Sequence, residues 1–487
     1  MVITLIWRYG THMIVQWLAL LVLLSWCVTA LMGILVIRYR RPERAWAWLA
    51  VMFGLPVVGP VLYVLFGGQI LTLRRRRRYS RDLSPDHKRE ERRDFSVYES
   101  EPNLPDYLAD TPAQVKAAGD YGPMGGNTLS VTHDHSEIVS RLIRDIDTAS
   151  HHVHLTFYIF MDDRIGRRIA QALTDAAQRG VQCRVLLDSV GSGAAFHRLV
   201  PQIEKAGVEV RAAFPANPFR SRLKRFDLRN HRKICIIDGR IAHIGSCNVG
   251  EPALPPPNRR PRYDIMMRSE GPLALQLQTL FLADWEFEGP ELEHQEDYFP
   301  EMGGAGSAIA QTVPTDPLVD TAPVRDTAQY LFSHARHGIT LITPYFIPDE
   351  PLEVSLCQAA RRGVDVRVVI PARSDLRFVD AATRSYCRVC RDAGARIYSF
   401  QPGFLHAKML LVDDAVAMIG SANFDNRSFR LNLETNAVIY DRTCVEEVKQ
   451  IQNHYISQSE LVSEPSAGYP RMRHMAEDLA RLFSPLL

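Results

Sequence analysis

The sequence lacks a dominant charge. Its 57 lysines and arginines stand against 55 aspartates and glutamates, a formal +2 over 487 residues, which argues against a general nucleic-acid binder. It also lacks a cysteine pattern. Eight cysteines are scattered, and Cys387-x-x-Cys390 has no second pair at zinc-finger spacing, so they read as reduced thiols on a cytosolic face. No carboxylate-rich cluster suggests a divalent-ion site, and no phosphate-cradling glycine loop of the Walker type appears. Neither a metal nor a nucleotide cofactor is expected.

What is present is a motif, twice. His231 to Asn248 reads HRKICIIDGRIAHIGSCN and His406 to Asn423 reads HAKMLLVDDAVAMIGSAN; both fit H-x-K-x4-D followed by G-S-x-N. His, Lys and Asp at that fixed spacing arise by chance at on the order of one position in ten thousand. The apolar, partly β-branched residues after each lysine suggest a buried strand, on which residues two apart share a side. His231 and Lys233 would face one cleft, as would His406 and Lys408. Asp238 and Asp413 complete the catalytic motif at Asp238-Gly239 and Asp413-Asp414, which look like hairpin turns. Their expected role is to orient or neutralise neighbouring groups.

Around the motifs a β-α-β order repeats. His152 to Phe160, Arg167 to Arg179 and Val181 to Leu187 correspond to Ile339 to Ile347, Leu352 to Arg362 and Val364 to Ile370. Tyr158-Ile159-Phe160 matches Tyr345-Phe346-Ile347. Gene duplication is the simplest reading. The fold expected is α/β: two pseudo-symmetric lobes, residues 121–300 and 301–487, with mixed sheets covered by helices. If the lobes pack about a pseudo-twofold axis, one site holds two histidines and two lysines.

The amino terminus is apolar. Met13 to Ile37 is uncharged and, at about 1.5 Å per helical residue, long enough to cross a roughly 30 Å hydrocarbon core. The run continues past Val28-Thr29-Ala30, which favours a transmembrane helix over a cleaved signal. Ala45 to Phe66 carries Gly54, Pro56, Gly59 and Pro60 and reads as a kinked span or re-entrant hairpin. Residues 1–73 thus form a membrane-anchoring region and 74–120 a basic, polar linker. Of the two arginine clusters, Arg38 to Arg44 and Arg74 to Arg78, the larger places the catalytic part in the cytoplasm.

Two lysines with Ser246, Asn248, Ser421 and Asn423 can bind the nonbridging oxygens of a phosphate and stabilise the charge growing there. One neutral histidine can attack phosphorus while the other, protonated, supplies the leaving alkoxide with a proton. An unperturbed histidine pKa near 6.5 makes both forms accessible near neutral pH.

These paired motifs resemble the signature of the phospholipase D superfamily over about residues 120 to 460. The resemblance implies a phosphohistidine intermediate, with His231 as nucleophile and His406 as acid, then base. By position, Glu434 resembles the carboxylate that orients the second-half histidine, and Asp264 its first-half counterpart. The whole chain is similar to the bacterial cardiolipin synthases in Leu55-Pro56-Val57-Val58-Gly59, in Tyr63-Val64-Leu65-Phe66-Gly67, in Gln401-Pro402-Gly403-Phe404-Leu405-His406 and in the terminal Arg481 to Leu487. That similarity implies phosphatidyl transfer between two phosphatidylglycerols, giving cardiolipin and glycerol, at the bacterial inner membrane with several passes. The chain departs from the family in the Pro-rich stretch Glu251 to Pro261 and at Met266, where a histidine is common. The alternatives are a hydrolytic phospholipase D, a nucleic-acid phosphodiesterase and a non-enzymatic membrane scaffold.

Overall fold

The computed structural model describes residues 2–39, 42–55, 57–63, 95–215, 227–253, 260–317, 321–463 and 471–482. They divide between two compact units. The Arg74 to Arg78 run, positions 64–66 of the second apolar segment, positions 254–259 of the Pro-rich stretch and residues 483–487 lie outside the described residues.

In the amino-terminal unit Val2–Tyr39 and Pro42–Gly54 are helices, followed by a turn of helix at Val58–Leu62. Val36, Ala45, Met52 and Tyr63 bury against one another. Other apolar side chains of the first helix face outward: Trp17, Leu23, Leu24, Leu31, Ile34 and Ile37 are each more than half exposed. Among the described residues no helix is long and apolar enough to cross a membrane.

The larger unit is built on one mixed sheet. Its first half contributes β1 (Met124–Thr132), β2 (His152–Phe157), β3 (Gln182–Asp188), β4 (Glu209–Ala213), β5 (Lys233–Ile237), β6 (Ile241–Gly245) and β7 (Met266–Glu270). The second contributes β8 (Ala308–Thr315), β9 (Gly338–Ile342), β10 (Asp365–Pro371), β11 (Arg396–Phe400), β12 (Met409–Val412), β13 (Val416–Gly420) and β14 (Asn432–Ile439). The strand order is β11-β10-β9-β12-β13-β14-β8-β1-β7-β6-β5-β2-β3-β4, with Ser459–Leu461 beyond β11. Outward from the central β8–β1 pair, each half runs through equivalent strands in the same sequence. Strands β2-β3-β4 and β9-β10-β11 are parallel, and the remaining pairs of this series are antiparallel. Gly126, at φ +76°, allows the register shift by which β1 leaves β8 to pair with β7.

Strands β2, β5 and β12 are buried along their whole length, as continuous Val/Ile/Leu runs require when both faces are covered. Three of the covering helices start at aspartate caps: Asp134 accepts from Glu137 N, Asp163 from Gly166 N and Asp441 from Cys444 N. Each half has its own core, one around Leu155, Leu173 and Val185, the other around Leu341, Val368 and Leu410. Part of the expected linker is folded. Thr111–Gly119 is a helix, and Leu108 and Val115 enter the second core, because these apolar side chains have a hydrophobic face to bury against.

Candidate active site

Both motifs end in the same turn. Asp238 and Gly239 lie at φ +53° and +66°, Asp413 and Asp414 at +52° and +53°, and Arg240 N and Ala415 N donate back to Ile237 O and Val412 O at 3.0 Å. These are type I′ hairpin turns, which match the twist of the strands they join. The Asp238 carboxylate accepts from the backbone N–H groups of Ser150, His151 and His152 at 2.8–2.9 Å. Asp413 accepts from Arg336, His337 and Gly338 at 2.7–2.8 Å. Each aspartate therefore fastens a hairpin to the start of the neighbouring antiparallel strand, β2 or β9, roughly 16 Å along its own strand from the motif lysine. Asp238 and Asp413, expected as the orienting members of the catalytic motif, thus sit at the hairpin turns and hold backbone N–H groups there. Asp238→Ala should lower stability by about 1–3 kcal/mol, as N–H donors lose a charged acceptor, while the folded fraction keeps its kcat; urea unfolding and kcat together check this. A collapsed kcat at unchanged stability would restore a catalytic role.

At the other end of these strands the two halves exchange partners. Arg229–Asn230 pairs in parallel with Asn432–Leu433, and His231 N donates to Leu433 O at 2.9 Å. Phe404–Leu405 pairs in parallel with Arg262–Tyr263, and His406 N donates to Tyr263 O at 2.8 Å. One residue further on, the register sets each histidine beside the other half's carboxylate. His231 Nδ1 lies 2.9 Å from Glu434 Oε2, and His406 Nδ1 lies 2.6 Å from Asp264 Oδ1. Glu434 thus holds the first-half histidine and Asp264 the second-half one, the reverse of the expected pairing. The carboxylates are reached through intervening strand ladders, so order along the chain does not disclose the crossing. Lys233 Nζ and Lys408 Nζ donate to the carbonyls of His231 and His406, each at 2.6 Å.

Serines complete the support. Ser246 Oγ donates to Asp264 Oδ1 at 2.7 Å and Ser421 Oγ to Glu434 Oε2 at 2.6 Å, while the same oxygens accept from Ile265 N and Thr435 N. A hydroxyl has one proton to donate. The two serines, expected on the substrate phosphate, have their hydroxyl protons on the carboxylates. Asn248 Oδ1 accepts from Ile159 N at 3.2 Å, which leaves its Nδ2 for a ligand, and Asn423 Oδ1 is buried with no partner among the described residues.

Two site residues were not singled out from the sequence. Tyr158 meets the His231 ring edge-on at 4.8 Å, with Lys233 Nζ 5.5 Å from its centroid. Arg262 Nε donates to Asp264 Oδ2 at 2.8 Å. The matched aromatic triplets are one residue out of step: Phe160 bridges Val249 while Phe346 pairs with Phe424. Since Val249 and Phe424 each follow a motif asparagine, Pro344 is the counterpart of Tyr158. Comparing Arg262-Tyr263-Asp264 with Asn432-Leu433-Glu434 would have drawn attention to Arg262.

Burial dominates the electrostatics. It lowers His231 to about 4, against the pull of Glu434 and with the push of Lys233 and Lys408, and it lowers His406 to about 3. Burial opposes ionisation of Glu434 and Asp264 too, but His231 with Lys233, and His406 with Arg262, outweigh it and keep both carboxyls below their ordinary values. Burial therefore works against the imidazolium form of both histidines in the empty site, where the sequence suggested unperturbed values. The phosphate anion of a bound substrate works the other way and favours the imidazolium that the acid step needs, its proton drawn from solvent. Burial also lowers Lys233 to about 8 and Lys408 to about 7. A base with a lowered pKa loses its charge as pH rises through that value, so kcat/KM should fall between pH 7 and 8, well below the ordinary lysine value of 10.5. A flat profile from pH 7 to 9 would contradict this.

Comparison with known proteins agrees with the geometry. Residues 142–285 and 330–456 match the family described as "Cardiolipin synthase, PLD-like domain", and residues 18–68 match "Phospholipase D-nuclease N-terminal". The chain is 34% identical to Cardiolipin synthase A of Pectobacterium atrosepticum over 98% of this chain and 99% of that protein. It is 33% identical to Major cardiolipin synthase ClsA of Bacillus subtilis, over 96% and 99%. Phosphatidylserine synthase of Haemophilus influenzae superposes with a TM-score of 0.58 at 14% identity, covering 78% of this chain and 100% of that one, a likeness of fold alone. With two complete motifs converging on buried histidine–carboxylate pairs, the chain belongs to the cardiolipin synthases of the phospholipase D superfamily, which makes it a phosphatidyltransferase.

Proposed function

We propose that this enzyme joins two phosphatidylglycerols into cardiolipin and glycerol by two displacements at one phosphorus. The observation that carries this reading is that each histidine commits Nδ1 to a buried carboxylate of the other half, so each keeps Nε2 for chemistry. His231 Nε2 forms a bond to phosphorus as the P–O bond to glycerol breaks, and His406 gives the departing oxygen a proton. His406 Nε2 then takes the proton of the second lipid's hydroxyl, whose oxygen displaces His231 from phosphorus. Lys233, Lys408, Asn248 and Asn423 are the proposed phosphate binders. Exchange of one phosphodiester for another is close to energy-neutral, so no nucleotide is called for.

The exposed apolar side chains of the amino-terminal helix support insertion into a bilayer. The location proposed is the bacterial inner membrane, with residues 1–73 as the membrane-anchoring region. The two pseudo-symmetric lobes, 121–300 and 301–487, lie on the cytoplasmic side, where Arg74 to Arg78 would hold them. Nucleic acid is not a proposed partner.

Purified enzyme in phosphatidylglycerol vesicles should release cardiolipin and glycerol in equal amounts, and should continue to do so in EDTA, because two lysines supply the positive charge. Phosphatidic acid as sole product would favour a hydrolase. Loss of activity in EDTA, restored by a divalent ion that does not reorganise the lipid, would overturn the metal-free route.

A further inference from the structure

The two halves of the site part company at one position. Two residues before each carboxylate stands a side chain that donates to it: Asn432 Nδ2 to Glu434 Oε1 at 3.0 Å, and Arg262 Nε to Asp264 Oδ2 at 2.8 Å. A neutral amide in one half is a cation in the other. That bond leaves most of the guanidinium unused. The Arg262 side chain is only 10% exposed, and its Nη2 is buried with no partner among the described residues. Such an atom is costly to leave unmet.

A second orphan lies close by. The His135 ring has a backbone hydrogen bond with Gly250, its Nε2 is buried without a partner among the described residues, and the ring is near enough to Asp264 and Arg262 to feel both charges. The acidic neighbours are otherwise engaged. Asp163 accepts from Gly166 N at 2.9 Å and Glu251 N at 2.7 Å, and Glu251 pairs with Arg164 at 2.9 Å.

A guanidinium fork with a free N–H matches the oxygens of a phosphodiester. The reaction brings two phosphates together, since the acceptor phosphatidylglycerol carries its own phosphate on the glycerol that bears the attacking hydroxyl. Its second phosphate must therefore lie beside the reacting one. Arg262 stands one carboxylate away from His406, the base that takes the proton of that hydroxyl.

We propose that Arg262, assisted by His135, binds the phosphate of the acceptor phospholipid, forming a second anion subsite that selects a lipid hydroxyl over water. This rests on the reading of the site as one that transfers phosphatidyl groups between lipids.

The test uses the full-length enzyme in vesicles of labelled phosphatidylglycerol and follows cardiolipin and phosphatidic acid together. Both products come from one phosphohistidine, the first by attack of a lipid hydroxyl and the second by attack of water. Their ratio therefore reports acceptor binding and is insensitive to a uniform loss through Asp264 and His406. Arg262→Gln should lower the ratio about tenfold, the size of one hydrogen bond to a charged group. Arg262→Lys should recover part of it, and His135→Gln should lower it about threefold, as befits a neutral partner. An unchanged ratio in Arg262→Gln, with both products falling together, would make Arg262 a brace for Asp264 and overturn the subsite. Free phosphate offers the same oxygens. If the wild-type ratio depends on added inorganic phosphate, and Arg262→Gln matches the phosphate-free wild type, the site takes the ion and the proposal fails. A wild type that makes phosphatidic acid and no cardiolipin would instead overturn the proposed reaction itself.

Discussion

His406→Asn should slow cardiolipin formation by about 10²–10⁴-fold, the usual worth of a positioned proton donor and acceptor, and should strand a phosphatidyl group on His231. The contact of His231 Nδ1 with Glu434 presents the Nε2 lone pair to phosphorus whether or not His406 is present. His406 is needed twice: to protonate the leaving glycerol and to deprotonate the incoming hydroxyl. A donor with an activated leaving group, such as a p-nitrophenyl phosphatidyl ester, bypasses the first need and leaves the second. With that donor, His406→Asn should show a burst of p-nitrophenol and label on His231, whereas His231→Asn should show neither. Label on His406 in the His231 variant would reverse the assignment. Net inversion at phosphorus in the wild type would exclude a double displacement altogether.

Glu434→Gln should cost about 10²–10⁴-fold in turnover, the scale seen when a histidine's carboxylate partner becomes an amide, and the damage should fall on the other half's histidine. Glu434 is fully buried, so water cannot replace it. An amide can turn its NH₂ toward Nδ1 and favour the tautomer with the proton on Nε2, which has no lone pair for phosphorus. Glu434→Gln should therefore slow formation of the covalent intermediate. Asp264→Asn, acting on His406, should slow its breakdown. With the activated donor, label should accumulate in Asp264→Asn and not in Glu434→Gln; pairing in chain order predicts the opposite. Combining Glu434→Gln with His231→Asn should add little to His231→Asn alone, because both remove one function.

The motif strands were legible because their chemistry is local. His231 and Lys233, like His406 and Lys408, are two apart ahead of an unbroken buried run, and a strand puts such residues on one side. The hairpins at Asp238 and Asp413 were legible for the same reason. What those aspartates bind was not, since Ser150 and Arg336 lie far away in sequence and reach the turns only through the β2–β5 and β9–β12 pairings. Ser246 and Ser421 show the same limit. Their place in G-S-x-N suits a phosphate ligand, and only the ladders bringing Asp264 and Glu434 alongside reveal that their single protons are engaged.

The sequence by itself determined that this chain carries two copies of one α/β unit, and that the chemistry would be phosphodiester exchange on a histidine backed by lysine. Repeats and short spacings survive in one dimension. The tertiary structure alone decided which carboxylate serves which histidine, because Arg229–Asn230 and Phe404–Leu405 each pair with the opposite half. It alone shows the direction in which the site's proton affinities move, because burial shifts His231, His406, Lys233 and Lys408 down together, and burial is a property of everything packed around a residue rather than of its neighbours in the chain.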